Sequence, residues 1–177
     1  MRRRWRISRE SVAVGIATSR EVSHESLDNA LGSASRALPD SSTLIAYHSR
    51  SENANDLAVH LLHRIQADDD PLLGYFSTVS ATELLVRPVR SGSGTLRLVT
   101  SWLREFPHLQ TLDVTLDVAI QAATVRAISG MKAPDALIIA SGMLAGCEVI
   151  VSNDKRWRDR LQPLFPQFRW IYLHDYV

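Results

Sequence analysis

Four carboxylates in this chain of 177 residues could do chemistry together. Asp40 precedes Ser41-Ser42 and an apolar stretch at 43–47. Glu83 closes Ser80-Ala81-Thr82-Glu83. Asp135 follows Pro134, and Asp154 ends Ser152-Asn153-Asp154. Oxygen donors of this kind suit hard divalent cations such as Mg²⁺ or Mn²⁺. Each acid also has a local explanation. Asp40 suits a helix N-cap. Ser80 and Glu83 fit a capping box, and Arg87 lies one helical turn beyond Glu83. Asp135 would favour the positive end of a helix dipole. Asp113 and Asp117 read as turn and helix-start residues, with Asp117 only a weak candidate for the same cluster.

Whether the four acids meet depends on the elements that carry them. Residues 132–157 read as a buried helix followed by a short strand. Pro134 suits the first helical turn, the apolar residues 136–140, 143 and 144 leave almost no polar face, and Gly146 suits a C-terminal stop. About ten helical residues rise ~15 Å, and five strand residues return ~16 Å. Asp135 and Asp154 therefore finish at the same end of the unit. Elsewhere, residues 36–39 read as a short strand, 53–66 as an amphipathic helix and 75–79 as a strand. A helix opens at Ser80 and closes at Pro88, with a flexible loop at 91–94. Then come a helix centred on residues 96–106, a strand over 109–114, a helix over 117–129, a basic helix over 155–164 and a last strand over 168–173. His60 and His63 lie on the helix over 53–66 with nothing to complete a metal site. The acidic run Asp68-Asp69-Asp70 before Pro71 reads as solvated loop.

Strands alternating with helices predict an α/β domain: three α/β/α layers around a central, mostly parallel sheet. Right-handed crossovers put the strand C-terminal ends along one edge, where such sheets bind ligands. Asp40, Glu83, Asp135 and Asp154 all map to that edge.

Composition limits the alternatives. The chain is 45% hydrophobic and 22% charged, ordinary for a globular protein, and no apolar run approaches the ~20 residues of a membrane span. The basic N-terminus lacks the apolar segment of a secretory signal. Cys147 is the single cysteine, so no internal disulfide forms and the cytoplasm is the expected compartment. Residues 1–39 hold seven Arg against four acids, whereas residues 40–177 are slightly acidic. The first 35 residues show no sustained period and read as a poorly ordered extension ahead of a domain over 36–177. Arg2, Arg3, Arg4 and Arg6 around Trp5 read as part of that solvated tail.

Four segments together resemble the successive motifs of PIN-domain ribonucleases, in particular the VapC-type toxins of toxin–antitoxin pairs. They are Asp-Ser-Ser-x-Leu-Ile-Ala-Tyr from Asp40, Val-Ser-Ala-Thr-Glu-Leu-Leu from Val79, Pro-Asp-Ala-Leu-Ile-Ile-Ala-Ser from Pro134, and Val-Ser-Asn-Asp-Lys-Arg-Trp from Val151. The resemblance spans about residues 36–175. It implies a catalytic and metal-binding set of Asp40, Glu83, Asp135 and Asp154, supported by Ser42, Ser152 and Asn153. It also implies an antitoxin that blocks the cleft, and a homodimer. The departure is the N-terminal extension, which such toxins usually lack.

The expected activity is a metal-dependent endoribonuclease leaving a 5′-phosphate and a 3′-hydroxyl. Asp40, Asp135 and Asp154 would be the main ligands, with Glu83 bound directly or through water. Lys132, Lys155, Arg156 and Arg158 flank the key aspartates and are candidate RNA-binding residues. Trp157 reads as a buried residue before a base-stacking one. Two other readings use the same residues: a non-catalytic binding module of the same fold, and a metal-dependent DNA nuclease or phosphatase.

Overall fold

The computed structural model describes residues 9–69 and 72–177, with side chains from Arg20 onward. Arg2, Arg3, Arg4, Trp5 and Arg6, and the Asp70-Pro71 end of the acidic loop, lie outside the described residues. Helix α1 (Arg9–Leu31) leads into strand β1 (Arg36–Pro39) and helices α2 (Ser41–His48) and α3 (Asn55–Gln66). Strand β2 (Leu73–Ser77) is followed by α4 (Thr78–Ser91) and α5 (Ser93–Glu105). Strand β3 (Leu109–Leu112), helices α6 (Leu116–Ser129) and α7 (Ala133–Leu144), strand β4 (Val149–Ser152), helix α8 (Lys155–Leu161) and strand β5 (Arg169–Tyr172) complete the order.

The five strands form one sheet in the order β3-β2-β1-β4-β5, and every pair is parallel. Strand residues alternate between the two faces, as a pleated sheet requires. Ala37, Phe76, Val149 and Val151 face a core with α1, α2, α3, α4 and α5. Leu38, Tyr75 and Ile150 face a second core with α6, α7 and α8. This is the three-layer α/β/α architecture the alternation implies. Its strand order reverses at β1, whose neighbours are β2 and β4. The crevice beyond the C-terminal ends of β1 and β4 is thus the natural ligand position.

Several boundaries differ from the sequence reading. The first 35 residues are not wholly an unstructured extension: α1 occupies most of them, and Leu27 and Leu31 are fully buried against the first core. Pro88 does not close α4 but lies inside it. The break comes at Gly92, whose φ of 109° few other residues adopt. Residues 91–94 are therefore a tight joint between α4 and α5, not a flexible loop.

Candidate active site

Asp40 ends β1 and caps α2. Its Oδ1 accepts from the Thr43 backbone N–H at 2.8 Å. The Ser42 hydroxyl donates to Oδ1 at 2.7 Å and the Ser152 hydroxyl to Oδ2 at 2.7 Å. Burial, at 2% exposure, raises its pKa, while these hydrogen bonds favour the charge and pull it back. The cap and the site are thus the same interaction. Ser152, the last residue of β4, crosses the switch point to reach Asp40, and its Oγ also accepts from the Asp154 backbone N–H at 3.0 Å. Ser42 completes the loop by accepting from the Asn153 backbone N–H at 2.7 Å. The supporting serines tie the ends of β1 and β4 into one polar unit. The side-chain Oδ1 of Asn153 is buried in this loop with no hydrogen-bond partner among the described residues.

Glu83, Asp135 and Asp154 face a single cavity of about 380 Å³ above this unit. The capping box at Glu83 is not formed. Helix α4 begins three residues earlier than the pattern implies, Ser77 is its N-cap, and the Ser80 hydroxyl is buried without a partner among the described residues. Glu83 accepts instead from the Ser41 hydroxyl, a contact between the first turn of α2 and the second turn of α4. Asp135 lies in the first turn of α7, after Pro134. Its pKa is raised by burial first, then by the charges of Glu83 and Asp154. Asp135 thus lies in the field of the other two acids of the cavity. Asp154 caps α8 and is gripped by Arg156 through Nε at 3.0 Å and through Nη2, which holds its carboxyl below the ordinary value.

The donor set suits a hard divalent cation: oxygen only, crowded and partly desolvated, with a buried orphan oxygen on Asn153 close in sequence. The spacing is looser than a finished cage. Among the described residues, no group of three His, Cys, Asp or Glu side chains is close enough to hold a metal ion. Asp40 turns its oxygens to its hydroxyl and amide donors, and Asp154 turns to Arg156.

The basic candidates separate. Lys132 and Arg156 line the acid cavity, together with Arg160, which the sequence reading did not single out. Arg160 sits on α8 one helical turn after Arg156, and that spacing was its only signal. Lys155 is exposed and does not line the cavity. Arg158 is committed elsewhere, to Asp159, Asp175 and the Tyr172 ring. Trp157 is 4% exposed and packs in the second core, although it also forms part of the cavity wall. Asp117 is exposed on α6 and lies outside the cavity. Cys147 is buried, and its thiol is pushed up to about 12.

The family model for the PIN domain matches residues 37–160. No curated protein sequence matches the chain. Solved structures share its fold at low identity. A toxin–antitoxin complex from Klebsiella pneumoniae is 18% identical, with a TM-score of 0.58 over 77% of this chain and 97% of that one. The Mycobacterium tuberculosis toxin VapC20, described as cleaving the sarcin–ricin loop, is 16% identical, with a TM-score of 0.56 over 70% and 93%. FitAcB from Neisseria gonorrhoeae is 14% identical, with a TM-score of 0.54 over 78% and 98%.

Proposed function

The chain belongs to the PIN domain family, and from that premise we propose that it is a metal-dependent endoribonuclease acting as the toxin of a type II toxin–antitoxin pair. The observation that carries this reading is the shared cavity of Glu83, Asp135 and Asp154 over the Asp40–Ser152 tie. Glu83 and Asp154 raise the proton affinity of Asp135, and an acid crowded in this way costs stability when nothing neutralises it, as expected of a site that takes a cation. Asp135 and Asp154 are best placed to hold Mg²⁺ or Mn²⁺, with Glu83 joining directly or through water and Asp40 bracing the site from beneath. Asp154 must turn from Arg156 to do so. Such an ion supplies an acidified water and charge stabilisation at a phosphate. Glu83, anchored by Ser41, orients the attacking water. Lys132, Arg156 and Arg160 bring cationic charge to the cavity wall and hold the RNA phosphates that the acids would otherwise repel.

Two of the structural relatives support the partner. The Klebsiella pneumoniae structure is of a toxin–antitoxin complex and VapC20 is described as a toxin. An antitoxin would then silence this chain by covering the acid cavity. A second copy is the other partner: Leu116, Ile120 and Ile128 of α6 and Leu144 of α7 are exposed apolar residues on two helices that pack together.

The experiment compares single-stranded RNA, single-stranded DNA and a phosphomonoester, each with Mg²⁺, with Mn²⁺ and with chelator. RNA should be cleaved to products with 5′-phosphates only when metal is present, and Asp135→Asn should reduce the rate at least ~100-fold, a typical scale for losing a catalytic group. Preferential cleavage of DNA or of the phosphomonoester would reassign the enzyme. Cleavage of nothing, with no Mn²⁺-dependent rise in unfolding temperature, would leave a binding module.

A further inference from the structure

A second cavity, of about 550 Å³, opens on the other side of Glu83, between α2, α4 and α5. Glu83 is a wall of both cavities. A phosphate held in the acid cavity therefore places its neighbouring nucleoside at the mouth of this second space. The walls are mainly apolar, from Leu84, Pro88 and Val99, with a few polar groups among them, the usual make-up of a small-ligand site.

The aromatic groups point to the ligand class. Tyr47 and Trp102 stack with ring centroids 5.1 Å apart, and His48 meets Trp102 edge-on at 4.5 Å. The Trp102 indole Nε1–H is buried and makes no hydrogen bond among the described residues. Buried indole donors normally find an acceptor, so this one is short of a partner. Packing pushes the His48 imidazole down from its ordinary value, so at neutral pH it is uncharged and offers one donor and one acceptor. Arg87 is on the cavity wall and supplies a cation for the next phosphate.

We propose that this cavity is a base-binding pocket. It takes one unstacked base of single-stranded RNA beside the cleaved bond, holds it against Trp102, and reads it through His48 and through Trp102 Nε1, which a small turn of the ring brings to the cavity. RNA recognition commonly works by splaying single-stranded bases onto aromatic rings. The proposal rests on the ribonuclease reading and adds a source of sequence preference to it. An apolar peptide segment is the rival occupant. A wall shared with the acid cavity, a neutral polar pair on flat rings and the cation of Arg87 favour a base.

The test uses the full chain with Mn²⁺ on a randomised single-stranded RNA pool, mapping product ends by sequencing. Wild type should show a base preference at one position flanking the cleaved bond. Trp102→Phe keeps the ring and removes the donor, and it should cut that preference about tenfold. His48→Gln should change which base is favoured, and thermal unfolding confirms that both variants fold. In an Asp135→Asn background, short oligoribonucleotides of the favoured base should quench tryptophan fluorescence, and Trp102→Phe should weaken their binding. Unchanged cleavage profiles in both variants would overturn the pocket while leaving the nuclease intact. So would an unchanged profile with weakened binding of a protein partner. A wild-type chain that cleaves no RNA with either metal would instead overturn the ribonuclease reading, and the pocket with it.

Discussion

Asp135 is subject to two opposing effects whose balance is measurable. Its place in the first turn of α7 favours the charge through the helix dipole, by roughly 0.3–1 kcal/mol. Burial and the facing charges of Glu83 and Asp154 oppose it and raise its pKa above the ordinary 3.8. A carboxyl with a raised folded-state pKa contributes stability that is complete below the unfolded value. That contribution is lost as pH rises through the folded value. In metal-free protein at pH 7 the Asp135 charge is therefore a cost. Asp135→Asn should hold or raise the urea midpoint there, despite losing the dipole contribution. The advantage should disappear below the ordinary aspartate value, where wild type is protonated as well. A variant less stable than wild type at pH 7 would mean that the dipole outweighs the cluster. The four acids were legible in the sequence because each sits where a strand gives way to a helix, or a helix prepares a strand. Their individual contacts were not. Ser80-x-x-Glu83 matches a capping box, but helix α4 starts at Thr78, and only the packing of α2 against α4 shows that Ser41 takes Glu83. Arg158 and Arg160 are both arginines of one short helix. Asp175, seventeen residues away, draws Arg158 out of the site and leaves Arg160 on the cavity wall.

At the scale of elements, the position of Asp135 depends on how closely α7 approaches the sheet. Gly142 faces Leu38 of β1, and a Cβ there would lie 2.7 Å from Leu38 Cδ2 and 3.5 Å from Cγ. Leu38 is fully buried and has no room to turn away. Helix propensity alone would make Gly142→Ala stabilising by about 1 kcal/mol. Overpacking of this kind costs about 1–3 kcal/mol, so the contact should win, with a lower denaturation midpoint and reduced nuclease rate as α7 is pushed outward. Gly94 of α5 has nothing within 4 Å of its Cβ position, and Gly94→Ala should be neutral or stabilising by up to about 1 kcal/mol. Equilibrium urea unfolding of the two variants measures the difference. The alternation of strand and helix was readable because buried parallel strands are short apolar runs between amphipathic helices. Boundaries were less so. Strand β2 starts two residues before the reading of 75–79, because Leu73 and Gly74 pair with Arg36 and Ala37 of β1, and a pairing across the sheet leaves no local mark.

The whole molecule includes a helix that the sequence did not announce. Residues 9–31 carry Ser, Arg, Glu and a glycine without a continuous apolar stripe, so local pattern argues against order. Long-range contacts decide otherwise for the second half. Leu27 and Leu31 enter the first core beside residues of α3. Asp28 pairs with His60 at 2.9 Å and with Arg64, and Asp56 pairs with His24 at 2.7 Å and with Arg20. The His24 and His60 rings stack with centroids 4.1 Å apart. Both histidines on this seam face an aspartate, and none of these partners was visible from spacing along the chain. The apolar and charged contributions can be separated by substitution. Arg20 is 61% exposed, so its ion pair with Asp56 is screened by solvent. Arg20→Ala should cost under about 1 kcal/mol. Leu27 has no exposed surface, and Leu27→Ala should cost about 2–5 kcal/mol through lost burial and the cavity left behind. Equal, near-zero effects of both changes on urea unfolding would mean that α1 is a solvated tail. A large Leu27 effect with a small Arg20 effect would make α1 part of the core that supports α3 and, through α2, the loop that carries Asp40.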